Sequence, residues 1–167
     1  MNKIYIKYLL LFPFYILIQI LVLNQVLVST YINPFLYLIL IINLPLKVSK
    51  IFLFIYAFML GFVVDLFSFS IGFHSTACIL IAFMKNWVNK ITIPHNILSD
   101  TDEIKLKKVG KQAYISFSII LIFIHHGCLF ILENMYIDIK ILVKILFSTS
   151  ISLIVILITE LFVKKKK

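Results

Sequence analysis

Arginine is absent from this chain: all 16 basic residues are lysine. That excludes the bidentate guanidinium clamps that grip phosphate or carboxylate, and it argues against nucleic acid as a partner. Charged residues of either sign make up only 14% of the sequence, against about a quarter in soluble domains. Only four glycines are present, and none forms a phosphate-binding loop. G-x-S-x-G, H-E-x-x-H and paired intramembrane aspartates are missing too, so no catalytic residue and no cofactor is assigned. Without an ATP site the chain has no motor of its own. The two cysteines, Cys78 and Cys128, lie inside apolar runs and read as small packing residues rather than a disulfide or metal pair.

What is present is apolar. Hydrophobic residues make up 62% of the 167, and the mean hydropathy is +1.10. A chain of this length and character is expected to be an all-α polytopic membrane protein, a single integral domain with no room for a soluble one. The clearest span is Ile51 to Ser70, about twenty residues, or roughly 30 Å of helix, the thickness of a bilayer core. Ala57, Gly61, Asp65 and Ser68 recur on one face of it, where small residues admit another helix and the acid faces protein.

Five further spans are expected around it. The first, 8–28, follows Lys3 and Lys7; no small-residue cleavage pattern succeeds it, so it reads as an uncleaved span. Pro13 is expected to kink it, and Gln19 to hydrogen-bond a neighbouring helix. The link Ser29-Thr30-Tyr31-Ile32 is uncharged. Asn33-Pro34 reads as N-cap and first-turn proline of a second span, 33–46, which is short for a full crossing. A fourth, 74–90, presents Ser75, Cys78, Ala82 and Asn86 on one face, with Lys85 and Lys90 placed to snorkel. The fifth and sixth are 113–132 and 139–163. Along the sixth, Lys140, Lys144, Ser148 and Ser152 form a stripe, and Glu160 can meet Lys164.

Charge sets the orientation. The ends and alternate loops hold 14 of the 16 lysines, so the positive-inside rule predicts both termini and the 88–112 loop to be cytoplasmic. The lysine tail would attract anionic membrane lipid. Within the long loop, Ser99 followed by acids suggests a short surface helix; the segment is either a solvated loop or a docking surface.

Two clusters could carry chemistry. Asp65 lies near the outer end of its helix, close to where His74 and Ser75 begin the next. Its carboxylate is expected to cap that helix or bond His74 as a structural clamp. An ion or proton pathway and a catalytic acid are the alternatives. His125-His126 with Glu133 carries the right atoms for zinc, but adjacent side chains on a helix diverge by about 100°. A hydrogen-bonded helix contact is the preferred reading, with no metal. Three small or polar faces, Ala57-Gly61, Ser75-Cys78-Ala82 and Ser148-Ser152, exceed what one helix pair needs. The Ser148-Ser152 face is expected to take a partner's transmembrane helix.

The strings YINPFLYLILIINLP, GFVVDLFSFSIGFHSTACILIAFMK and LIFIHHGCLFILE resemble the rod shape-determining MreD family, in the form found in Bacteroidetes. The most specific part is Asp65, Phe67, Ser68, Gly72, His74 and Ser75, supported by Asn33-Pro34 and His125-His126. The likeness covers nearly the whole chain; the lysine-only, isoleucine-rich composition is the departure. It implies a multi-pass inner-membrane subunit of the elongasome. It further implies association with an MreC-like periplasmic protein and, through it, with an MreB-like filament and the glycan polymerase–transpeptidase pair. The fold implied is similar to the six-helix substrate-binding subunits of vitamin importers, which is the alternative function.

Overall fold

The computed structural model describes residues 2–25, 33–70, 72–94, 97 and 103–162. The 29–32 link, the Ser99 helix start and Lys164 lie outside the described residues. All regular structure described is helical: α1 (Asn2–Ile18) running into a π-helical turn (Gln19–Leu23), α2 (Leu38–Asn43), α3 (Lys50–Ser68), α4 (Phe73–Thr92), α5 (Leu106–Val109), α6 (Lys111–Asn134) and α7 (Ile139–Phe162). Among the described residues, four helices are long and apolar enough to cross a membrane: Lys3–Leu23, α3, α6 and α7. They carry large exposed apolar side chains, among them Leu10, Ile55, Phe123 and Leu146, which suit a lipid environment. The protein is a helical membrane protein.

The largest departure from expectation is the second span. Asn33-Pro34 does not start a helix; only the six residues of α2 are helical, and Tyr37 precedes them as N-cap. Every residue from Pro34 to Leu44 is nevertheless buried. This segment is the centre of the molecule, and the longer helices wrap it. It accompanies α7 from Ser148, bonded to the Asn33 N–H, to Glu160, bonded to Asn43. That is twelve residues, or about 18 Å of α7. A short helix covers such a distance because irregular residues advance further than the 1.5 Å of a helical one.

Burying irregular backbone in an apolar setting requires internal partners for its polar groups. The Asn33 and Phe35 N–H groups donate to the hydroxyls of Ser148 (3.1 Å) and Ser152 (2.9 Å). The Gln19 amide accepts from Leu36 N–H (2.8 Å) and donates to the Pro34 carbonyl (3.0 Å). The π-helical turn begins at Gln19, where the Asn24 N–H reaches back five residues to its carbonyl. At the far end Lys85 donates to the carbonyls of Ile41 (2.7 Å) and Leu44. A lysine on the last carbonyls of a helix also complements its dipole.

Several expectations are therefore corrected. Lys85 does not snorkel; it is 1% exposed, its ammonium bonded to the carbonyls of Ile41 in α2 and of Leu44 just after it. Glu160 turns inward, accepting from the Asn43 amide (2.6 Å) and the Leu106 N–H (3.3 Å); its expected partner Lys164 lies outside the described residues. The Ser148-Ser152 face is not free for another protein's helix, since the chain's own residues 33–35 occupy it. On α4, Ser75, Cys78 and Ala82 are buried while Asn86 is exposed.

Near Asn43 the beginning of α1, the loop before α5 and the last turn of α7 meet. Lys7 and Lys105 (2.8 Å) both bond the Glu103 carboxylate, and the Ile104 N–H donates to the Asn43 carbonyl (3.1 Å). Burial raises the Glu103 carboxyl, but the bonds from Lys105 and Lys7 outweigh it and hold the group below its usual range. Its contribution to stability is thus complete above the ordinary carboxyl range and lost as pH falls through the lowered value. Thermal unfolding in detergent should show wild-type stability dropping on acidification, while Glu103→Gln starts lower and loses less over the same window.

Candidate functional site

The site is built at the end of the bundle opposite that lysine cluster, where α3 turns into α4. Helix α3 stops because Phe69 takes a left-handed conformation (φ 53°) and its N–H returns to the Asp65 carbonyl. Gly72 (φ 75°) supplies a second left-handed residue as N-cap of α4. An N-cap glycine has no side chain to satisfy the first N–H groups of its helix. Asp65 does so across the turn. Its Oδ1 accepts from the His74 N–H (3.0 Å) and the Ser70 hydroxyl (2.5 Å). Its Oδ2 accepts from the Ser75 N–H (2.9 Å) and the Ser75 hydroxyl (2.6 Å). A carboxylate facing a helix N-terminus with four donors is a well-compensated buried charge.

One turn earlier, Gly61 brings the two backbones together. A Cβ built there would lie 2.4 Å from the Ser75 Cα and 2.6 Å from the His74 carbonyl carbon. No side chain larger than hydrogen fits without moving the first turn of α4. Asp65 and Gly61 together fix that turn in direction and depth, and so fix His74.

His74 then meets the central segment. The Tyr37 hydroxyl lies 3.0 Å from His74 Nδ1 and 3.0 Å from His125 Nε2 of α6. A hydroxyl has one hydrogen, so it donates to one imidazole and accepts N–H from the other. Cys78 Sγ sits 3.8 Å from the same His125 nitrogen. Phe35 packs edge-on to His74 and His125 and stacks on His126 at 5.0 Å and 23°. His126 Nδ1 donates to the Ile122 carbonyl (2.8 Å), and Nε2 lies 3.4 Å from both the Ser152 hydroxyl and the Asn33 carbonyl. The two adjacent histidines thus serve different neighbours, as their divergence on the helix requires.

Above this cluster opens a cavity of about 310 Å³, lined by Asn24, Asn33, Phe35, Ser68, His74 and Glu133 among others. Ser68 is exposed at its wall and receives a 3.4 Å bond from the Asn24 amide. Glu133 is at the rim and pairs with Lys144 (3.4 Å), away from His126. Among the described residues no group of three or more His, Cys, Asp or Glu is placed to hold a metal ion.

Nearly all the residues singled out from the sequence converge here. Asn33, Pro34, Ser68 and His74 line the cavity; Gly61, Asp65, Gly72 and Ser75 fix its α4 wall; His125 and His126 lie beneath. Tyr37, the hub between two histidines, was not singled out, because a tyrosine in an apolar run carries no spacing signal. Asn43, with Glu160 and Tyr114 on its amide, was missed likewise. The polar atom inside an otherwise apolar hexapeptide was the available clue for Asn43. No family model, no curated protein and no solved structure matches this chain.

The four bonds to Asp65 make its amide a poor substitute. Both carboxylate oxygens accept backbone N–H, so an asparagine would turn an NH2 donor towards another donor on one side. Asp65→Ala should cost on the order of 3 kcal/mol, and Asp65→Asn a substantial part of that. Gly61→Ala should cost about 1–3 kcal/mol by forcing α4 outward. Unfolding of the detergent-purified protein measures all three; a wild-type Gly61→Ala would contradict the close approach.

Proposed function

We propose that this chain is a non-enzymatic scaffold of the inner membrane, similar to the MreD family. In this reading it supports an MreC-like periplasmic protein and, indirectly, an MreB-like filament and the peptidoglycan polymerase–transpeptidase pair in cell-shape regulation. The observation that supports it best is convergence. Asn33-Pro34, the Asp65–Ser75 motif and His125-His126, which carry the resemblance, meet in one buried constellation around Phe35 and Tyr37. Their polar groups hold backbone and each other, the work of a rigid support.

The same reading takes the chain through the membrane six times with both ends cytoplasmic. The crossings are α1, the partly unwound 33–46 segment, α3, α4, α6 and α7. Helix α4 belongs among them although it is less apolar, because two of its costly residues, Lys85 and Asn89, face inward while Phe83, Trp87 and Ile91 face out with Asn86 and the terminal Lys90. Single cysteines at Phe69 and Lys108 test this. A membrane-impermeant thiol reagent applied to intact cells should label position 69 above the wild-type background and not position 108. The opposite pattern would invert the topology.

The cavity gives the second reading, a substrate-binding membrane subunit of a vitamin-type importer, its specific support. Its amide, hydroxyl, imidazole and aromatic lining would suit a small polar molecule. Purification in mild detergent separates the two. Recovery of a single-span periplasmic protein of the cell-wall machinery supports the scaffold; recovery of paired ATPase subunits instead would replace it.

A further inference from the structure

A second recess lies far from the cavity, between α1 and α7, with α2 as its floor. Tyr8, Leu11 and Tyr15 form one wall, Ile39 and Leu40 the floor, and Glu160 of α7 closes one end. Its volume is about 160 Å³. It continues along α1 into an outer depression of about 450 Å³ over Lys3, Ile6 and Leu10, the two sharing Lys7 and Leu11. From Lys7 to Tyr15 is eight residues, or about 12 Å of helix, close to the ~15 Å depth of half a bilayer core.

The mouth is cationic. Lys3, Lys7 and Lys105 surround it, with Glu103 and Glu160 as the nearby acids. Glu103 is shared between Lys7 and Lys105, and Glu160 is turned towards Asn43 and the Leu106 N–H. Among the described residues of the mouth, three lysines stand against two carboxylates, an excess of one positive charge beside an apolar cleft.

We propose that this cleft binds one anionic phospholipid, with an acyl chain against Leu11, Ile39 and Leu40 and the phosphate at the lysine mouth. One phosphodiester supplies the missing negative charge, whereas a zwitterionic headgroup brings its own cation and restores the imbalance. A partner's transmembrane helix fits less well. Helices approach closely over small residues, and this recess of about 160 Å³ is lined with tyrosine, leucine and isoleucine. A flexible chain follows such a recess. The inference is independent of the scaffold reading and of which side the lysines face.

Native mass spectrometry of the purified full chain, incubated with phosphatidylglycerol or phosphatidylcholine, tests it. The expected result is a single phosphatidylglycerol adduct retained in preference to phosphatidylcholine. Lys3→Gln should weaken it about fivefold, and adding Lys105→Gln about fivefold again. Ile6 and Leu10 are exposed, so Ile6→Trp with Leu10→Trp should obstruct the outer depression and remove the adduct while leaving the melting temperature in phosphatidylcholine unchanged. Equal retention of both lipids would overturn the proposal. So would wild-type adduct strength in the tryptophan variant, or a photo-crosslinker at Leu11 that captures a protein helix and no lipid.

Discussion

An unwound backbone inside an apolar bundle is the condition that the rest of this structure answers. Residues 33–37 make few of the internal bonds that a helix would give them, and lipid offers none. Each orphaned N–H or carbonyl would cost several kcal/mol if left unpaired. The bonds come from side chains on different helices: Gln19 after α1, Ser148 and Ser152 on α7, and Lys85 on α4 for the far end. Because the donors and acceptors are dispersed, no pair of helices can satisfy the segment alone. The helices must assemble around it together, and its burial follows from that assembly as much as from its apolar side chains.

The clamp at Asp65 serves the same condition from outside. An ionised carboxylate in such a setting is tolerable only with strong compensation, and it receives two backbone N–H and two hydroxyl bonds. In return the first turn of α4 is pinned against Gly61, and His74 is delivered to Tyr37. Removing the carboxylate would therefore loosen more than a helix cap. It would release one of the two imidazoles that meet the Tyr37 hydroxyl.

How much of this was legible depends on the range of the interaction. The Asp65 link joins residues nine and ten apart across one turn, and an acid placed near the start of the next helix announces it. The three- and four-residue spacing of Ala57, Gly61 and the α4 face was readable for the same reason. The second span was misread because Asn33-Pro34 has the local chemistry of a helix start, and local chemistry lost to tertiary bonds from residues more than a hundred positions away. Lys85 was misread because a lysine near a helix end ordinarily snorkels. Its real partners, the Ile41 and Leu44 carbonyls, exist only because α2 is so short. Ser148 and Ser152 were recognised as a contact face, but no periodicity tells whether the occupant is another chain or an earlier part of the same one.

The single hydrogen of the Tyr37 hydroxyl couples two imidazoles. The hydroxyl lies equally far from His74 Nδ1 and His125 Nε2, yet can donate to only one of them. If it donates to His74, His125 must present Nε2–H to it; if it donates to His125, His74 must present Nδ1–H. The tautomer of the cavity wall is thereby tied to that of a fully buried histidine on α6, whose Nδ1 has no partner among the described residues. Whatever fixes the hydrogen on His74 at the cavity also fixes which nitrogen of His125 is protonated. The connection ends there, because Leu38 to Ile42 offer only apolar side chains between Tyr37 and the Asn43–Tyr114–Glu160 group at the other end. The two polar clusters are thus separate devices, one holding each end of the same buried segment.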